Sequence, residues 1–170
     1  RRCLRAEKRL ATILFDVDFF KAYNDFYGHQ LGDECLQRIG QQLKKMHLSD
    51  RPGDFIARYG GEEFVVCLSG TTEAHAKKIA DKVRQSIAGL RIAHEKTQIE
   101  SVDYVTISVG VAIEVVRGDS SAETLLNKAD KALYYIKNNG RNQVQSYEEL
   151  LKNELLSAVE EIEGEIDFWD

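Results

Sequence analysis

The chain has 170 residues, 43% of them apolar, which is enough for one well-buried core and makes a single domain the first expectation. Its 28 acidic residues against 23 basic ones give a formal charge of −5, which argues against a nucleic-acid polymer as the main partner. No run of about 18 apolar residues and no signal peptide occurs, so a cytoplasmic place without direct membrane contact is expected; Cys3, Cys35 and Cys67 form no CxxC pair and are expected to be reduced, mostly buried thiols.

In chain order, Ala11–Val17 is an unbroken apolar run ending in acids, the pattern of a central strand whose tip carries chemistry. Phe19, Phe20 and Lys21 predict the start of a short helix, whose free backbone N–H groups suit a phosphate; a hydrophobic staple beside an exposed lysine is the plainer alternative. Leu36, Ile39 and Leu43 place a helix over Leu31–Met46 against a sheet. Phe55–Tyr59 and Phe64–Leu68 flank Gly60-Gly61, which predicts a hairpin with a two-residue loop, the glycines supplying the positive φ of a primed turn.

Thr72–Ala88 carries Ile79, Val83 and Ile87 on one helical face. Tyr104–Ile113 alternates Val105, Ile107, Val109 and Val111 with smaller residues, as a half-buried strand does. Ser120 with Glu123 reads as a capping box for a helix through Lys137, with Gly140 near its C-cap and Val144 in a last short strand. Beyond it, Leu151, Leu155, Val159 and Ile162 form a stripe within Glu148–Glu163, which suits a helical connector, a partner helix or the entry to another domain. The order is not a βαβα repeat, so the expected class is α/β of the α+β kind, a mostly antiparallel sheet with packed helices.

Asp16 and Asp18 lie two apart, so in an extended chain they share a side, while Glu62 and Glu63 open the strand after the hairpin and face opposite ways. Oxygen donors without histidine or thiolate partners favour Mg²⁺ or Mn²⁺ over zinc; solvated turn acids are the competing reading of Asp18, Glu62 and Glu63. Lys137 and Arg141, four apart across a helix end, can reach one anion or serve the helix dipole. Arg51-Pro52-Gly53-Asp54 fits a turn with proline second and glycine third.

Taken together, Asp-Val-Asp-Phe-Phe-Lys (16–21), Asn-Asp-Phe-Tyr-Gly-His-Gln-Leu-Gly-Asp (24–33), Arg-Tyr-Gly-Gly-Glu-Glu-Phe (58–64), Thr-Ile-Ser-Val-Gly (106–110), and Ala-Asp-Lys-Ala-Leu-Tyr with Lys-Asn-Asn-Gly-Arg-Asn (129–142) resemble the successive motifs of the GGDEF family of diguanylate cyclases. The resemblance covers residues 1–146 and leaves 147–170 as a helical tail or connector. It implies a palm-like domain related to ferredoxin-like and nucleotide cyclase folds, and an enzyme that joins two GTP into cyclic di-GMP. The family's Asp-Xaa-Leu-Thr-Gly-Leu segment would precede Arg1, so a truncated N-terminal edge is expected.

By the same resemblance, Asp16, the Val17 carbonyl and Glu62 are the metal ligands, Glu63 is a further essential acid, and Glu62 is the family's proposed base, with Asp18 ranked lower. Asn24 and Asp33 match the guanine-reading pair; a carboxylate accepts from guanine N1–H and N2–H and repels the N1 acceptor of adenine. Lys21, Lys137 and Arg141 match triphosphate-binding positions, with Phe19 and Phe20 giving backbone N–H groups. Arg51 and Asp54 match the inhibitory product site, and His29 has a structural role. One nucleotide per chain and a product made of two imply a C₂ homodimer for turnover. A regulatory domain that binds GTP or cyclic di-GMP without turnover is the rival reading, and the complete set of Asp16, Glu62 and Glu63 speaks against it.

Overall fold

A computed structural model describes residues 9–117 and 120–155. The described residues up to Ser146 form nine elements: β1 (Arg9–Val17), α1 (Phe20–Tyr27), α2 (His29–Lys45), β2 (Phe55–Gly60), β3 (Glu63–Ser69), α3 (Glu73–Ala88), β4 (Ile107–Val115), α4 (Ala122–Asn138) and β5 (Val144–Ser146). One five-stranded sheet has the order β2-β3-β1-β4-β5; only β4 and β5 run parallel. The mostly antiparallel α+β class is therefore as expected from the sequence. No helix among the described residues is long and apolar enough to cross a membrane.

The apolar run of β1 is central because both its faces are covered. Ile13, Phe15 and Val17 pack with Leu36, Ile39 and Leu43 of α2 and Ala80, Val83 and Ile87 of α3. On the other face, Leu14, Val65, Cys67 and Ala112 meet Leu125, Ala129 and Leu133 of α4. Each large side chain buried this way contributes about 1.5–3 kcal/mol. Cys35 and Cys67 are free and buried, and burial pushes the Cys35 thiol up to about 11, which keeps it protonated. Cys3 lies outside the described residues.

The expected half-buried strand is buried on both faces from Ile107 to Ala112, and it starts later and ends later than the alternation suggested. Alternation of size, rather than of polarity, marks its two faces: Ile107, Val109 and Val111 face α3, while Gly110 lets α4 come so close that an added β-carbon would lie 2.1 Å from the Ala129 carbonyl oxygen. The hairpin is present, but its loop is Gly61-Glu62, with Gly60 already paired to Glu63 across a register irregularity. Neither glycine has a left-handed φ, so the primed-turn reason given for them is wrong.

The capping box is also displaced. Ser121 is the N-cap of α4 and makes no side-chain cap bond, whereas the Ser120 hydroxyl accepts from Arg117 N–H at 2.8 Å. Thr72 does cap α3, its hydroxyl accepting from His75 N–H at 3.2 Å. Gly28, at φ 90°, ends α1 and opens α2, which is why α2 begins at His29 and not at Leu31. Gly140, at φ 105°, follows α4 as expected. Residues 147–155 are helical, and the Glu148 carboxylate accepts from Ile113 N–H at 3.1 Å, so the tail starts docked on the sheet edge. Val159 and Ile162 of the apolar stripe lie outside the described residues.

Candidate active site

Antiparallel neighbours bring the C-terminal tip of β1 beside the starting ends of β3 and β4: Asp16 stands opposite Glu63 on one side and Ser108 on the other. Asp16 is 2% exposed. Lys137, reaching back from the last turn of α4, pairs with the Asp16 Oδ2, while the Asp16 Oδ1 is buried without a hydrogen-bond partner among the described residues. Burial is the main cause that raises the Asp16 carboxyl to about 6; Lys137 opposes it, and the charges of Asp18 and Glu62 add to it. Glu62, in the hairpin loop, and Glu63, the first residue of β3, are both half-buried at this same end.

Asp18 has a different environment and is no solvated turn acid. It is fully buried, accepting from Ser108 Oγ at 2.6 Å, Thr106 Oγ1 at 2.8 Å and Asn142 N–H at 3.2 Å, with Arg141 Nη1 3.8 Å away. Burial holds its carboxyl above the usual carboxylate range in spite of these donors. Both its oxygens are used internally, tying β1, β4 and the loop after α4 together. Of the two aspartates, Asp16 alone presents an oxygen free of protein donors.

The chain then turns into α1 through Phe19, whose φ of 54° is left-handed. The Phe19 carbonyl accepts from Tyr23 N–H at 3.1 Å and from His94 Nε2 at 3.2 Å, and the Arg141 guanidinium lies 4.1 Å over its ring. Lys21 is exposed at the first turn of α1. Lys137 and Arg141, which their spacing allowed to reach one anion, flank the tip of β1 beside two different acids, Asp16 and Asp18. His29 is exposed at the start of α2.

Asn24 lies on α1 and Asp33 on α2, and the turn at Gly28 folds these helices together so closely that a β-carbon on Gly32 would fall 1.8 Å from Asn24 Oδ1. That oxygen is buried without a partner among the described residues, whereas Asp33 is exposed. Arg51–Asp54 is the expected turn, closed by Asp54 N–H to the Arg51 carbonyl at 3.0 Å with Gly53 at φ 92°. The Asp54 Oδ1 accepts from Ser69 N–H at 2.7 Å and Ser69 Oγ at 2.8 Å, at the opposite end of the hairpin from Glu62. A cleft of about 180 Å³ with Arg51, Asp54 and His75 in its walls lies there. A wider one of about 630 Å³ runs between α2 and β2, lined by Leu36, Arg58 and Phe64 but not by Asp16.

Four residues that organise the site had no assigned role in the sequence reading. Thr106, Ser108 and Asn142 sit inside quoted motifs, so a signal existed, but which carboxylate they serve depends on the register of β4. His94 had no signal at all. As to a cation, no group of three His, Cys, Asp or Glu side chains gathers among the described residues. Two carboxylates and a backbone oxygen do fit Mg²⁺, which takes few protein ligands, and the partnerless Asp16 Oδ1 is the donor such an ion requires.

Known proteins resemble this chain in sequence and in fold. The family model for "Diguanylate cyclase, GGDEF domain" matches residues 1–143. Diguanylate cyclase A of Treponema denticola is 39% identical over 152 residues, covering 89% of this chain; the chain spans 38% of that protein's length. The GGDEF domain of DgcB from Caulobacter crescentus, solved in complex with c-di-GMP, superposes with a TM-score of 0.70 at 29% identity, covering 86% of this chain and 84% of that one. The active GGEEF domain of a diguanylate cyclase from Vibrio cholerae superposes at 0.65 with 32% identity, covering 82% and 83%.

Proposed function

The chain belongs to the GGDEF family of diguanylate cyclase domains, and from that premise we propose that it condenses two GTP into cyclic di-GMP with release of two pyrophosphates. The observation that carries the reading is the tip of β1: a buried carboxylate oxygen without a partner on Asp16, under the charge of Glu62 and within reach of Lys137. Asp16, the Val17 carbonyl and Glu62 would hold Mg²⁺ or Mn²⁺, which when bound neutralises charge on the attacked phosphate and the leaving pyrophosphate.

The chain's own groups then have separate tasks. Lys137 turns from Asp16 to the triphosphate, joined by Arg141, Lys21 and the backbone N–H groups of Phe19 and Phe20. Asn24 and Asp33 take the guanine edge; the Asp33 carboxylate accepts from N1–H and N2–H, and a good polar pair of this kind discriminates between bases by about 1–3 kcal/mol. Glu63 adds a further acid opposite Asp16. The 3′-oxygen of one GTP bonds to the α-phosphorus of the other as the bond to pyrophosphate breaks, the hydroxyl proton leaving to Glu62 or water. Both halves of the product form this way, so two chains face each other about a two-fold axis.

Arg51 and Asp54 would bind the product and restrain the enzyme. Residues 1–146 form the catalytic unit in this reading, and 147–170 are its tail. The test is incubation with GTP and Mg²⁺ followed by chromatographic separation. Cyclic di-GMP and pyrophosphate are the expected products; GTP bound but unconverted at high protein concentration would replace this reading with the regulatory one.

A further inference from the structure

Phenylalanine adopts a left-handed backbone such as that of Phe19 only where its surroundings impose it. One anchor comes before it, Asp18 N–H donating to the Thr106 carbonyl at 2.9 Å, and one lies over its ring, the Arg141 guanidinium. The third is His94, in the segment between α3 and β4. The residue is 0% exposed, its ring meets Tyr23 edge-on at 5.3 Å, and its backbone N–H donates to the Asp103 carbonyl at 2.8 Å.

A carbonyl can only accept, so Nε2 carries the ring proton in the bond to Phe19, and Nδ1 is left as an acceptor. Among the described residues Nδ1 is buried without a partner. A leucine or phenylalanine would fill such a place without stranding a nitrogen, so packing does not explain a histidine here; the donor does.

The Phe19 carbonyl and the Phe20 N–H belong to one planar trans peptide and point in opposite directions. The carbonyl is pinned inward by Tyr23 N–H at 3.1 Å and by His94 Nε2–H at 3.2 Å together, and the Phe20 N–H is thereby turned outward. Phe20 is the first residue of α1, so its N–H has no acceptor within the helix. We propose that His94, through its Nε2–H bond to the Phe19 carbonyl, is a positioning residue that presets the Phe20 N–H for the triphosphate of GTP. The inference rests on the nucleotide-binding role given above to this loop.

Equilibrium binding of 3′-deoxy-GTP with Mg²⁺, followed by calorimetry, tests it without turnover, because this nucleotide lacks the attacking hydroxyl. His94→Leu keeps the volume and loses the donor; a rise in Kd of about tenfold is expected with the melting curve of a folded domain. His94→Gln can place an amide N–H near the Nε2 position and is expected to bind within about threefold of the parent, while the shorter His94→Asn binds as weakly as the leucine variant. Parental binding by folded His94→Leu, or equal binding by the Gln and Asn variants, overturns the proposal. Should His94→Leu not fold, the Gln and Asn pair decides alone. A parent chain that binds 3′-deoxy-GTP but leaves GTP unconverted overturns the cyclase reading and leaves this test intact; one that binds no nucleotide overturns both.

Discussion

Asp16 and Asp18 are the same residue type two positions apart, and their partners separate them. Asp18 spends its charge on three donors that hold the site together. Asp18→Ala should leave two hydroxyls and an N–H without their acceptor and lower stability by about 3–5 kcal/mol, read from denaturant unfolding. Asp16 keeps an oxygen free at the cost of desolvation, which lifts its carboxyl from 3.8 to about 6. The folded chain therefore binds this proton more tightly than the unfolded chain. The stabilising contribution is complete below the unfolded value and is lost as pH rises through the folded one. Without added metal, the parent should lose up to about 3 kcal/mol relative to Asp16→Asn as pH rises from below 3.8 to above 6; parallel unfolding curves for the two proteins across that range would refute the shift.

At the scale of elements, the site depends on how closely α4 lies on β4, since Lys137, Arg141 and Asn142 all come from the end of α4 or just past it. Gly110 sets that distance: an added β-carbon would lie 2.1 Å from the Ala129 carbonyl oxygen and 2.6 Å from Leu133 N. Both atoms are backbone and cannot step aside. Gly110→Ala should therefore cost about 3 kcal/mol or more and lift the end of α4 from the tip of β1, visible as a lower Tm together with weaker GTP binding. Arg84 braces the same loop from α3, donating to Asn142 Oδ1 at 3.1 Å.

For the whole molecule, the proposed cyclase reading puts one site on each chain and two nucleotides in the product, which would make turnover a meeting of two chains. In the range where chains are mostly monomeric, the initial rate per chain should rise in proportion to protein concentration; a rate per chain that stays flat from dilute protein upward argues against a shared site. The proposed product site is a turn whose closing bond, Asp54 N–H to the Arg51 carbonyl, belongs to the backbone. Arg51→Ala should thus keep the turn while losing the guanidinium fork that grips a phosphate, and progress curves should stay linear to higher product concentration.

Sequence alone determined the elements and proposed the acids and cations of the site, because period, apolar runs and ordered motifs are local properties that survive in one dimension. The apolar run Ala11–Val17 announced the central strand, and the motif around Glu62 and Glu63 announced the hairpin before the acids. It misread the φ of Gly60 and Gly61, the cap of α4 and the exposure of β4, each of which is set by neighbours distant in the chain. Only the tertiary structure decided that Asp18 is an anchor while Asp16 keeps one oxygen clear of the described protein donors, and that a histidine without motif holds Phe19. The reason is physical: whether a carboxylate is free depends on which donors the strand register and the α4 contact place against it, and those partners lie as far as 124 residues away along the chain.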